Sequence, residues 1–223
     1  MKYLIVFSQD AHWIDFRYAE LNALLKFFEI EHSYIMPINK NNIHESTFLQ
    51  IDLPNDNSVS LILSRAVTIK AIYQIYSYST NLTDVITDMN NNGSNLLLPN
   101  NTRNIQNQSK PSWSLQIESV FNTLTMDNKQ YFRELFTCFT PTLFGPINVK
   151  APELDLCLIL DFHNKPTYTT NTTTTSTIDT TNNTFDVTAD FHLIPAYFTR
   201  LVSHNMMRNT INRFDLKKRL YLG

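Results

Sequence analysis

The chain has 223 residues and a formal net charge of −2; 43% are hydrophobic, only 17% are charged, and fifteen Phe with ten Tyr supply bulky core material. Its three glycines exclude phosphate-cradling loops, since neither G-x-G-x-x-G nor G-x-x-x-x-G-K can be written. Two isolated cysteines, Cys138 and Cys157, make neither a disulfide framework nor a C-x-x-C metal half-site, and no run approaches the roughly 18 apolar residues of a membrane span.

The start, MKYLIVFSQDAHW, has too short an apolar run for a signal peptide, so a reducing, cytoplasmic setting is expected. Lys2–Ser8 reads as a buried first strand, and Asp15 stands where it could cap the helix that follows. Leu21, Leu24, Leu25 and Phe28 lie at i, i+3, i+4 and i+7, one apolar stripe on a helix ending near Ile30. Strands are expected at about 31–36 and at Thr47–Leu53, a short helix at Val59–Ala66, a strand at Ile69–Tyr78 and a second short helix at Leu82–Met89. The order β-α-β-β-α-β is that of a ferredoxin-like unit, with residues 1–89 as the first domain.

Residues 90–111 carry Asn, Gln, Ser and Pro without periodicity and are expected to be a linker. In the second unit, 112–212, Trp113, Leu115, Ile117 and Ser119 alternate with polar residues as a half-buried strand does. Asp127–Phe139 is expected as a helix with Tyr131, Leu135 and Phe139 on one face, and Leu154–Phe162 as an apolar strand. Residues 166–190 are Thr- and Asn-rich, an expected exposed insertion. A last strand starts at Tyr197.

Charge is concentrated at the C-terminal end. From Tyr197 onward there are six Lys/Arg (Arg200, Arg208, Arg213, Lys217, Lys218, Arg219) against Asp215 alone, about +5, while the rest of the chain is about −7. Such polarity suits a polyanion or an acidic partner at one end. A solvated basic tail is the competing account.

Several runs, in order, resemble the N-terminal half of the eukaryotic tRNA guanosine-10 N2-methyltransferases: DFRYAELNALLKFF (15–28), SRAVTIKAIYQIYSYSTNLTDV (64–85), NTLTMDNKQYFRELF (122–136), FGPINVKAPELDLCLILDF (144–162) and YFTRLVSHN with NRFDLKKRLYLG (197–223). The last is the most specific, similar to a "YDLKKR-x-Y-x-G" segment that precedes the family's methyltransferase domain. The resemblance implies an α+β chain: a ferredoxin-like domain, then a THUMP-type α/β domain, with 213–223 as a basic linker toward a catalytic domain. Thr199 departs from the Gly usual in the family, which puts the local backbone and RNA approach in question. Leu220 stands where some members have Pro, a departure of little consequence.

The family's catalytic half needs a glycine-containing S-adenosylmethionine loop and an Asp/Asn-Pro-Pro-aromatic motif. Neither is in this sequence, which contains no Pro-Pro pair. No cofactor and no catalytic residue are therefore expected here, and whether the chain serves an enzyme is left open by its residues. The implied partners are tRNA, a separate methyltransferase domain and, through that domain, a small zinc-binding activator subunit.

Lys217, Lys218 and Arg219 lead the candidate RNA contacts, since adjacent cations neutralise phosphates and release counterions; Arg213, Arg208 and Arg200 follow. For Arg65 and Lys70, surface pairing or solvation is the favoured account. Trp113 and Phe198 could stack on a base, but strand aromatics are more often core. The histidines, at 12, 32, 44, 163, 192 and 204, lack metal-ligand spacing. The alternative function is a standalone protein-interaction module using the basic tail.

Overall fold

The structure, a computed structural model, describes residues 1–8, 14–35, 47–97, 110–120, 123–141, 143–162 and 194–204. It divides into two compact units: Met1–Tyr76 with Thr199 onward, and Ser77–Phe198. The expected division of the chain lay at 89/90 and 111/112; the compact units change over at 76/77 and 198/199.

In the first unit the elements run β1 (Lys2–Phe7), α1 (Phe16–Phe27), β2 (Ser33–Ile35), β3 (Phe48–Asp52), α2 (Asp56–Leu63) and β4 (Ile69–Ser79). β1 pairs antiparallel with β3 on one side, Ile5 opposite Leu49, and with β4 on the other, Ile5 opposite Ile72. β2 pairs antiparallel with β3. The order β2-β3-β1-β4 is that of two interlocked split β-α-β units, the ferredoxin-like arrangement expected from the periodicity. The last strand, β7 (Ala196–His204), lies beside β4 in the strand order. Tyr3, Ile5 and Phe7 meet Leu49, Ile51, Ile72, the helix stripe Leu21, Leu24 and Leu25, and Val59, Ile62 and Leu63 in one core, with Phe28 and Val202 packed against it.

Two helix ends show how local chemistry sets boundaries. Asp15 precedes α1 but does not cap it: its backbone is helical (φ −68°, ψ −22°) and its side chain makes no capping bond, since a cap needs extended backbone. Asn55 meets that condition (φ −164°, ψ 175°), and its side chain accepts from the Ser58 amide at 3.0 Å. α2 therefore starts at Asp56, three residues before the expected Val59. α1 closes in a Schellman turn: the Ile30 amide donates to Leu25 O at 2.9 Å and the Glu29 amide to Lys26 O at 3.2 Å. Glu29 takes φ 53° to allow it.

The second unit, besides its parts of β4 and β7, contains α3 (Leu82–Leu97), β5 (Trp113–Val120), α4 (Met126–Glu134) and β6 (Leu154–Asp161). β5 and β6 run parallel, in register from Trp113 opposite Leu154 to Val120 opposite Asp161. Such a pair needs a crossover connection, which carries α4. β5 follows the expected alternation at Leu115 and Ile117, both buried; Ser114 is buried as well, its hydroxyl donating to Asp155 Oδ1 at 2.9 Å.

Two expectations change. α3 continues eight residues into the Asn-rich stretch expected as linker, burying Leu82, Val85, Met89, Gly93 and Leu97 along one face. Gly93 lets the helix approach its neighbour: a Cβ there would lie 3.3 Å from Cys138 Sγ. α4 is shorter than expected, ending at Glu134, and buries Phe132 while Tyr131 is exposed. Asn90 of α3 fixes the turn after it, donating to Leu135 O at 3.0 Å and accepting from the amides of Thr137 at 2.8 Å and Cys138 at 3.3 Å. These bonds satisfy backbone groups that further helix would have used. The rest of the expected linker, 98–109, and the insertion 166–190 lie outside the described residues.

Two stability tests follow from these contacts. Glu29→Gly relieves the left-handed backbone at the α1 terminus and should raise the urea midpoint, by up to about 1 kcal/mol in unfolding free energy. An unchanged or lower midpoint would remove the strain assigned to Glu29. Gly145→Ala should do the reverse, because its Cβ would stand 2.5 Å from Lys110 O and 3.1 Å from Pro111 O, both backbone atoms. A loss of about 1–3 kcal/mol is expected from that overlap, and wild-type stability would refute it.

Candidate functional site

Of the six cations marked by the sequence, Arg208, Arg213, Lys217, Lys218 and Arg219 lie outside the described residues. Arg200 is described, in β7, and it is not a free cation. Its Nη2 donates to Asp56 Oδ2 at 2.6 Å, and its Nε donates to Gln74 Oε1 at 3.1 Å.

The anchor for this cluster is Asp56. As the first residue of α2, next to the Asn55 cap, its carboxylate sits where the helix dipole favours negative charge. The Tyr3 hydroxyl of β1 donates to its other oxygen at 2.8 Å. β1, α2, β4 and β7 thus meet through four side chains in the first unit. Burial, reinforced by the bond to Asp56, raises the Tyr3 hydroxyl pKa far above the ordinary phenol value, and burial raises that of Tyr76 too. The hydrogen bonds tie β1, α2, β4 and β7 together as a structural cluster. The Arg200 side chain is 30% exposed, and its two named partners occupy two of the five N–H donors of a guanidinium. Its charge is offset by Asp56.

Sequence reasoning missed Tyr3, Asp56 and Gln74 because no local pattern links residues 144 positions apart, the separation of Arg200 and Asp56. Arg65 is exposed, its guanidinium 5.1 Å from the centre of the Phe27 ring, a contact the sequence did not announce. Lys70 is exposed.

Trp113 stacks on Phe139 with ring centres 4.3 Å apart, and Phe198 is fully buried against Phe136 at 5.0 Å; both serve the core of the second unit. Cys138 and Cys157 are both buried thiols, and burial pushes the Cys138 thiol up to about 11. Among the described residues no group of three or more His, Cys, Asp or Glu is placed to hold a metal ion, and no helix is long and apolar enough to cross a membrane. Of the histidines, His12, His44, His163 and His192 are outside the described residues, whereas His32 has its Nδ1 3.0 Å from Ile30 O.

The ion pair can be measured directly. With 30% and 43% of the two side chains exposed, water screens the charges. A double-mutant cycle on Arg200→Ala and Asp56→Ala should return a coupling of about 0.5–1 kcal/mol in urea unfolding. Asp56→Ala alone should cost more than Arg200→Ala, because it also strands the buried Tyr3 hydroxyl. Zero coupling would reduce the pair to a coincidence of position.

Comparison with known proteins adds an independent finding. Residues 1–179 match the family model described as the Tmrp11 THUMP N-terminal domain. No curated protein matches the chain. Among solved structures, PH1313 from Pyrococcus horikoshii Ot3 aligns with 9% identity and a TM-score of 0.44, over 92% of this chain and 56% of that one. A 4-thiouridine synthetase solved as an RNA complex with bound ATP aligns with 8% identity and a TM-score of 0.41, over 90% of this chain and 41% of that one. The chain spans about half the length of these structures or less.

Proposed function

The chain belongs to the Tmrp11 THUMP N-terminal domain family, and on that premise we propose that it is a tRNA-binding module. The observation that carries the reading is the match itself, which runs over residues 1–179 and so draws on both compact units. In the finer form of the proposal, the module docks tRNA for a guanosine-10 N2-methyltransferase. The methyl donor, S-adenosylmethionine, and the chemistry would then belong to a catalytic domain outside this sequence, and a small zinc-binding activator subunit would join through that domain. What supports this division of labour is the run NRFDLKKRLYLG, which resembles the segment that precedes the family's methyltransferase domain.

The affinity has a physical source in the C-terminal stretch. Lys217, Lys218 and Arg219, with Arg213 and Arg208 before them, form a run of cations with one nearby acid, Asp215. Phosphates bound there release condensed counterions, a contribution that depends on salt and ignores base identity. Arg200 has a different part: tied to Asp56 and Gln74, it offers geometry more than net charge.

Replacing Lys217, Lys218 and Arg219 together by Ala should flatten the dependence of log K on log salt for tRNA by about 2–3 units, at about 0.7–0.9 per phosphate. Folding should change little, and the weakening should be similar for any structured tRNA. Labelled tRNA titrated at several salt concentrations into wild type and triple variant decides the matter. Measurable wild-type affinity with an unchanged slope would make the tail a linker and favour a polypeptide partner; no tRNA binding at all would overturn the module reading.

A further inference from the structure

The C-terminal end of α1 carries two adjacent phenylalanines, Phe27 as its last residue and Phe28 as its C-cap, and successive residues of a helix point about 100° apart, so both cannot face the core. Phe28 packs against the core of the first unit. Phe27 is 63% exposed, more than any other described aromatic side chain. It is not loosely placed. Its ring meets that of Phe28 edge-on, with centres 4.9 Å apart and planes at 82°, and the Schellman turn fixes the helix end that bears both. Just past α2, the Arg65 amide donates to Ile62 O at 3.2 Å, and the Arg65 guanidinium lies 5.1 Å from the Phe27 ring centre.

This feature is poorly matched to phosphate or to a protein surface. The exposed charges of the adjoining chain balance: Lys26 and Arg65 against Glu29 and Glu31. A polyanion would find no net attraction there. Nor does a single ring approach the roughly 800 Å² per partner that a stable protein interface buries. What it does offer is an exposed apolar ring with a guanidinium over it, a pair whose outward surface has the size and chemistry of a site for one unpaired base. Bases splayed from a single strand stack on aromatic rings and on Arg planes in this way.

We infer that Phe27 and Arg65 form a stacking platform for one unpaired nucleobase. The inference rests on the tRNA-binding reading and deepens it, since it assigns base contact to a place distinct from the charged tail. Stacking on a ring involves no counterion release, so its loss should weaken binding without altering the salt slope.

The test uses the full chain, a labelled tRNA transcript and a blunt, fully paired RNA duplex. Phe27→Ala should weaken tRNA binding between about 5-fold and about 140-fold, the equivalent of about 1–3 kcal/mol per stacked base. The salt slope and the duplex affinity should stay at wild-type values, and urea unfolding should show the variant still cooperatively folded. Phe27→Trp should keep the tRNA affinity, and Arg65→Lys, which preserves the charge but not the plane, should lose part of it. Wild-type tRNA affinity in Phe27→Ala would overturn the platform and leave the module reading intact. An equal loss on the duplex would also overturn it, because no unpaired base is present there. Failure of the wild-type chain to bind tRNA would overturn both.

Discussion

The first unit depends on β1 being paired along both edges. Antiparallel partners on each side satisfy its amides and carbonyls, which lets Tyr3 through Phe7 all be buried. Register follows from that burial: a slip of one residue would carry Tyr3, Ile5 and Phe7 out of the core they share with the two helices. The same register aims the Tyr3 hydroxyl at Asp56, and Asp56 in turn holds Arg200. The placement of the single described candidate cation is thus a downstream effect of strand pairing at the chain start.

Much of this architecture was legible because it is written in short-range periodicity. The stripe Leu21, Leu24, Leu25 with Phe28 gave α1, and alternation gave β5 at Leu115 and Ile117. The failures share a cause. The composition of 90–111, rich in Asn, Gln and Ser, hides the end of α3, although Leu82, Val85, Met89, Gly93 and Leu97 keep helical spacing; at the closest approach the packing residue is one without a side chain. α4 was extended too far because its stop is imposed from outside, by the Asn90 amide of another helix. A terminator supplied from 45 residues away leaves no mark in the local sequence.

The site was less legible than the fold. Clustered cations are visible as composition, so the tail stood out at once. Pairing is not: nothing in the sequence says that Arg200 meets an acid rather than solvent, or that Phe27 faces Arg65 rather than the core. The Phe27-Phe28 doublet held a usable signal, since helical geometry forces one of two neighbours outward, but it needed a decision about which. Thr199 illustrates the opposite case. A β-branched residue in place of glycine reads as a disturbance, yet it is wholly buried in β7, where such a side chain fits the pleat.

The first unit is assembled from two separated parts of the chain, with the whole of the second unit threaded between them. During vectorial synthesis the contacts of Val202 with the first core, and of Arg200 with Asp56, cannot form until the last strand has left the ribosome. Residues 77–198 are synthesised before that moment, while the first unit still lacks a strand. Until then the free side of β4 in the first unit is an open strand edge, the kind of surface that invites pairing with the wrong chain. The first unit therefore stays incomplete until the second has been made, and the exposed edge of β4 is the feature of its nascent form that needs cover.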